Sequence, residues 1–479
     1  MPGVTFFFLT LPFFLGLLAC GSFGLGVDEA HYMLYARHLD WSYFDHPPLV
    51  GWLHALFNTV FGETLFAARW PALLIGLFSV WRLFLFLSRH GFSENAARWA
   101  SLAMGVCFQF FVLHLFLLPD TLCLLWFWPL LETTVRLSKR DSWTDWLLLG
   151  LWLGLMGLSK YTAVFFVVPV AVLIIRGRGF SFLRFAGFYF AVILAFVLIS
   201  PVLVWNSQHD WISFRYQLGH VASGGQGLEG FFKSWAAQFA LYSPFLWGFS
   251  LWGYWLLFRD RARAEIGFVF WTATVFGVFF LWSSWKEAVL PHWPLFFYLV
   301  TIPLAIASLL DRRPQVWWRV RGAQLMVVLT ATLTAMVSLL MVTSLGFRLL
   351  PEALKEVGGW PQVMNEAERR LQSPQDRIVF LNWTYGSRAL FYGSRIEKQI
   401  SVLDDRFDQF DLWNPESLDG KDLWILQFSY DEQDFSSRVT CQSLSDKEET
   451  PVFEGGREIY RLILQKCVSA RITSGRVEP

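Results

Sequence analysis

Apolar runs of about 20 residues, each long enough to cross a bilayer as a helix, recur through the first 350 positions and limit the fold more than any other feature. Roughly eleven spans are expected, at 5–26, 64–88, 97–117, 120–137, 145–159, 161–176, 183–203, 236–258, 264–284, 290–310 and 322–346. Composition agrees: only 16% of the 479 residues are charged and 55% are hydrophobic, where a soluble chain carries roughly a quarter charged. The fold class expected is therefore an all-α polytopic membrane protein. Its net charge of +1 leaves no basic surplus for a phosphate backbone, so nucleic acid is excluded as a partner.

An odd number of spans puts the termini on opposite sides, and the basic residues say which side is which. One set of connections holds Arg89 and Arg98; Arg136, Lys139 and Arg140; Arg176, Arg178 and Arg184; Arg259, Arg261 and Arg263; and Arg312, Arg313, Arg319 and Arg321. These read as cytoplasmic. The other set has only Arg37, Lys160, Arg215, Lys233 and Lys286 as cations, each beside carboxylates, aromatics or histidines. The N-terminal run has no basic n-region and reads as a retained first span rather than a signal peptide. A multi-pass membrane protein with a cytoplasmic N-terminus is expected.

Two outside loops are long, 27–63 and 204–235, and the first is half apolar, as expected of short helices lying in the interface. After Phe347 the composition becomes that of a soluble protein. A helix at Pro361–Gln372 and strands at Arg377–Asn382, Asp422–Gln427 and Glu458–Leu464 predict a small mixed α/β domain. The expected division is a transmembrane domain at 1–346 and an extracytoplasmic domain at 347–479. Cys20, Cys107 and Cys123 fall in apolar runs and read as buried hydrophobes, whereas Cys441 and Cys467 lie where a disulfide is able to form.

The outside connections also collect the ionisable residues. Asp28, Glu29 and His31 follow the first span, Asp45 and His46 close the same loop, Asp120 forms the next outside turn, Lys160 the third, and Lys286, Glu287 and His292 line a fourth. Charges of both signs at the edge of hydrocarbon are costly and point to a water-filled cleft in which they pair or bind a charged ligand. An acidic pair such as Asp28 and Glu29, taken alone, is more often a solvated helix end. Asp120 is the sharper signal, because a tight turn uses the proline before it but has no need of a carboxylate.

The motifs D-E-A-H-Y, Y-F-D-H-P-P-L, R-W-P, L-P-D, G-L-S-K-Y-T, N-S-Q-H-D-W-I-S-F-R-Y-Q-L-G-H and H-W-P resemble, in order and spacing, the bacterial branch of the dolichyl-phosphate-mannose protein mannosyltransferase superfamily, which includes the aminoarabinose transferases acting on lipid A. The likeness runs over about residues 1–310. It implies a GT-C fold, a polyprenyl-phosphate-linked sugar donor, an envelope acceptor and a site formed by the first outside loop. Asp28 takes the family's catalytic carboxylate position, as base for an acceptor hydroxyl. Lys160, Arg69, His46 and Lys286 are the candidate cations for the leaving phosphate, with Glu29, His31, Asp45, Asp120 and His292 also expected at the substrate. At His46 the sequence departs from the aminoarabinose transferases, which usually carry lysine there.

A divalent cation on Asp45, Asp120 and His292 is an alternative holder for the phosphate. A transporter or lipid flippase is the rival class. It would place its ionisable groups near mid-membrane on broken, repeat-related helices, whereas here they gather at one face. A non-catalytic scaffold would not need Asp28, Asp120 and Lys160 together.

Overall fold

The computed structural model describes residues 2–21, 23–222, 227–286, 289–311, 317–413 and 417–473. Glu287, Arg312 and Arg313 lie outside them, as does 223–226 of the second long loop. The helices begin with α1 (Pro2–Ala19), α2 (Val27–Arg37), α3 (Leu49–Phe61), α4 (Leu65–Arg89), α5 (Glu94–Val106) and α6 (Phe108–Leu115). They continue with α7 (Pro119–Leu137), α8 (Trp143–Ser159), α9 (Val167–Arg178), α10 (Ala186–Gln208) and α11 (Ile212–Ala222). Next come α12 (Gly227–Leu241), α13 (Phe249–Asp260), α14 (Ala264–Lys286), α15 (Leu295–Asp311) and α16 (Trp317–Val342).

Among the described residues, five helices are long and apolar enough to cross a membrane: α4, the 161–178 segment that ends in α9, α10, α14 and α16. A sixth is counted if α5 and α6, bent by 69° at their junction, form one span. The other expected runs fall short of that standard. Helices α1, α8 and α15 reach only 17 or 18 residues, and α7 carries Asp120, Glu132 and Arg136. The run expected at 236–258 is a correction, because it is two helices. Helix α12 ends at Leu241 and α13 begins at Phe249, with Ser243 between them at φ 73°. Pro244 follows, and proline disfavours the helical region for the residue before it and has no N–H to continue a helix.

The chain forms two compact units. The first comprises Met1–Leu18, His46–Val50 and Arg69–Val337, and its most extensive helix contact is α8 against α10. Gly150 and Gly154 lie on that contact. A Cβ on Gly150 would strike the Ala191 carbonyl oxygen, and one on Gly154 would lie 2.5 Å from Leu198 Cδ1. Small residues four apart let two backbones approach in lipid, where van der Waals contact does most of the holding.

The second unit comprises Ala19–Asp45, Gly51–Ala68 and Ser338–Pro479. Its helices include α17 (Ser344–Leu349), α18 (Pro351–Leu354), α19 (Trp360–Arg370), α20 (Trp383–Tyr392) and α21 (Gln409–Trp413). The strands are β1 (Arg377–Phe380), β2 (Ile400–Val402), β3 (Leu423–Phe428), β4 (Val439–Leu444), β5 (Glu448–Glu454) and β6 (Arg457–Ile472). They form one mixed sheet in the order β2-β1-β3-β6-β4, with β5 also paired to β6. Strand β1 is parallel to β2 and β3, and the other pairings are antiparallel.

Alternation along the strands sends Ile378, Phe380 and Trp424 to one apolar core with Trp360 and Phe428, and Val379 and Ile425 to another with Val439 and Cys467. Each large side chain so buried stabilises by about 1.5–3 kcal/mol. The expected helix and three expected strands are present as α19, β1, β3 and β6, and Cys441 is disulfide-bonded to Cys467.

Candidate active site

In the first unit, α7 opens on Leu118-Pro119-Asp120. Proline suits the first helical position, where its missing N–H has no partner to lose, and a carboxylate in the first turn faces the positive end of the helix dipole. Thr121 Oγ1 donates to the carbonyls of Leu113 and Phe116, at 2.9 Å each, and holds this turn. Helix α8 ends at Ser159, and Lys160 leaves it with extended backbone at φ −155°, ψ 141°.

Lys160 Nζ then donates to both carboxylate oxygens of Asp120 at 2.7 Å. The two side chains are only 11% and 5% exposed, so both ions are largely withdrawn from bulk solvent and depend on each other. His292 Nε2 lies 3.8 Å from Asp120 Oδ2, and His46 is within electrostatic reach of both Asp120 and His292. Arg69 is fully buried, its guanidinium 5.4 Å from the Phe116 ring centre. Lys286 is the last residue of α14 and half-buried; among the described residues it makes no ion pair.

Of the three candidate metal ligands, Asp120 and His292 lie together in the first unit. Among the described residues no three His, Cys, Asp or Glu side chains are grouped to hold an ion. The chemistry of the set gives the reason, since both Asp120 oxygens already face an ammonium group that repels a second cation.

The second unit holds the other candidates, on and after α2. Glu29 is buried, and its Oε2 accepts the Gly26 N–H at 3.1 Å, closing a capping interaction over the first turn. Its observed work is that of a helix cap. Asp28, beside it in the same turn, is half-buried. His31 is buried, with Nδ1 3.1 Å from Ser387 Oγ and Nε2 3.9 Å from Asp45 Oδ1. Rings of Tyr35, Trp383, Phe410 and Trp413 surround its imidazole at centroid distances of 5.0–5.9 Å. Tyr35 donates its hydroxyl to Asp45. Burial first, and then the Asp45 charge, push the Tyr35 phenol well above its usual pKa, so it remains a donor at physiological pH.

Sequence reasoning missed every partner supplied by the C-terminal part of this unit: Trp383 and Ser387 on α20, and Phe410 and Trp413 on α21. It also missed Gln409, whose Oε1 accepts the Phe44 N–H at 2.7 Å, and Arg388, fully buried with Nε donating to the Leu25 carbonyl at 3.3 Å. An arginine inside the apolar run Arg388-Ala389-Leu390-Phe391 was the one available signal.

Residues 45–205 match the family described as dolichyl-phosphate-mannose-protein mannosyltransferase. The lipid A galacturonosyltransferase RgtD of Rhizobium johnstonii is 25% identical over 296 residues, or 60% of this chain, and the chain spans 61% of that relative's length. The crystal structure of ArnT from Cupriavidus metallidurans bound to undecaprenyl phosphate is similar with a TM-score of 0.68 at 13% identity, covering 96% of this chain and 97% of ArnT. The apo form of that ArnT is similar with a TM-score of 0.65 at 14% identity, over 97% of this chain and 98% of the other. At these identities the likeness to ArnT is one of fold.

Proposed function

We propose, from the likeness of residues 45–205 to the dolichyl-phosphate-mannose-protein mannosyltransferases, the similarity to RgtD and the fold shared with ArnT, that this chain takes a sugar from a polyprenyl-phosphate carrier and transfers it to an envelope acceptor, lipid A foremost. The reaction takes place at the extracytoplasmic face of the bacterial inner membrane. The observation that carries the reading is the buried Asp120–Lys160 pair with His292 at the start of α7. His46, Arg69, Asp120 and Lys160 all fall in the range matched by the family. The acceptor class is supported by the named activity of the Rhizobium relative, and the carrier by the undecaprenyl phosphate bound to ArnT. A transporter is disfavoured because Asp120 and Lys160 sit at helix ends rather than mid-span.

In the proposed reaction Asp28 accepts the proton of an acceptor hydroxyl as that oxygen bonds to the anomeric carbon with inversion. The bond from that carbon to the phosphate oxygen breaks, and its electron pair leaves with the polyprenyl phosphate. The leaving group is already an anion, so it needs positive charge more than a proton, and Lys160, Arg69 and His46 are its proposed counter-charges. Where the acceptor is itself a phosphate, no base is needed and Asp28 acts through position and charge. We further propose eleven crossings with the N-terminus cytoplasmic, the shorter apolar helices included, and an extracytoplasmic C-terminal domain, a placement with which its disulfide agrees.

The test compares mass spectra of the envelope lipids and glycans from cells with and without the chain. A sugar-sized increment should vanish on deletion, return with the wild-type chain, and stay absent with Asp28→Asn, which keeps the shape of the side chain and removes the base. Identical spectra with and without the chain would overturn the reading; full rescue by the Asn variant would remove Asp28 from the catalysis.

A further inference from the structure

The first unit contains a cavity of about 900 Å³ that the proposed chemistry does not use. It lies between the last two turns of α4, the second half of α7 and the first residues of α14. Asp120 begins α7, whereas the cavity starts at Trp128 and includes Glu132 and Arg136, roughly 18–24 Å further along the same helix. The cavity therefore lies near the other end of the span, at the end where the basic connections gather.

Its walls divide by polarity. Five cations line it, Arg82, Arg89, Arg136, Lys139 and Arg263, against the carboxylates of Glu132 and Glu265. Glu132 is shared between Arg82 and Arg89, and Arg136 is held by Asp145 with Nε 2.7 Å from Oδ1. Lys139 is exposed and makes no ion pair among the described residues. Positive charge exceeds negative along this lining, and Arg89, Lys139 and Arg263 are its exposed cations. Phe86, Trp128, Leu131 and Val135 form the apolar part of the lining. Trp128 is 1% exposed, and its Nε1–H has no hydrogen-bond partner among the described residues, an unusual condition for a buried donor.

We infer that this cavity binds the headgroup of an anionic phospholipid from the membrane leaflet on that side. Arg89 and Lys139 meet the phosphate, and the aromatic and aliphatic wall meets the glycerol and the first acyl carbons. A cation-lined recess between helices whose wall also carries aromatic and aliphatic side chains suits a phosphate that carries a hydrocarbon tail better than a free anion. Loop arginines placed only for topology would not need such a recess.

The experiment uses the full chain purified in detergent and reads its thermal midpoint during titration with dioleoyl phosphatidylglycerol, dioleoyl phosphatidylcholine or inorganic phosphate. Phosphatidylglycerol should raise the midpoint, and the other two should leave it in place. Arg89 and Lys139 are exposed, so the double variant R89Q/K139Q should keep the unliganded midpoint. It should need roughly twenty-five-fold more phosphatidylglycerol for the same shift, at about fivefold per headgroup-facing cation. Arg140, next in the chain but not on the wall, is the control, and R140Q should titrate as wild type. A wild-type response from R89Q/K139Q, or an equal loss in R140Q, would overturn the site. An equal shift with inorganic phosphate would overturn the lipid as its ligand.

Discussion

Lys160 and Asp120 hold each other where both are largely withdrawn from solvent, and removing one leaves the other as a buried charge without its main partner. Lys160→Met and Asp120→Asn should therefore each destabilise the fold by about 3–5 kcal/mol. The double variant should lose much less than the sum, because an uncharged pair carries no desolvation cost. Thermal unfolding of the three variants in one detergent decides this, and additive losses would mean that the pair is not coupled. Donor binding is the separate measurement: if Lys160 also meets the phosphate, Lys160→Met should bind polyprenyl phosphate at least tenfold more weakly, about 1.4 kcal/mol, and the double variant should not recover it. The neighbouring carboxylates Asp28 and Glu29 show how one residue step changes a role. Glu29, at the third helical position, reaches back to the Gly26 N–H as a cap, whereas Asp28, one step earlier, is only half-buried.

Among the helices, α8 and α10 depend on backbone proximity at Gly150 and Gly154. Gly150→Val should cost about 1–3 kcal/mol by forcing the helices apart. Gly219→Ala, where an added Cβ meets nothing within 4 Å, should stay within about 0.5 kcal/mol; equal effects at the two positions would refute a close-approach role. In the sheet, β4 and β6 are joined by Cys441–Cys467 across 26 residues. The double serine variant should lose about 2–4 kcal/mol, chiefly through a freer unfolded chain, measured as a lowered midpoint for near-ultraviolet dichroism. Strands β2, β4 and β5 escaped sequence reading for a physical reason: β2 has three residues, and β4 and β5 carry Gln442, Ser443, Glu448 and Glu449 on a partly exposed edge, where charge and polarity discourage pairing with other chains.

Over the whole molecule, the orientation proposed from loop charge is open to a direct check. A reporter active only in the cytoplasm, fused after Pro479, should be silent, and one active only outside should work; the reverse would displace every proposed site residue to the wrong face. Long apolar runs, the basic loops and the switch to soluble composition after Phe347 were legible because each depends on residues close together in the chain. Helix formation in lipid follows from the lack of any other partner for the backbone, and the interior β3 reads as a strand because it is apolar on both faces. The candidate site was legible only as a set of residue types. That Lys160 grips Asp120, 40 residues away, and that His31 meets Ser387, 356 residues away, was decided by folding, since each pairing is set by how distant helices pack. The break at Ser243 and the grouping of residues 19–45 and 51–68 with the C-terminal sheet belong with those pairings: local hydropathy reports that a segment is buried, and only the tertiary contacts report what buries it.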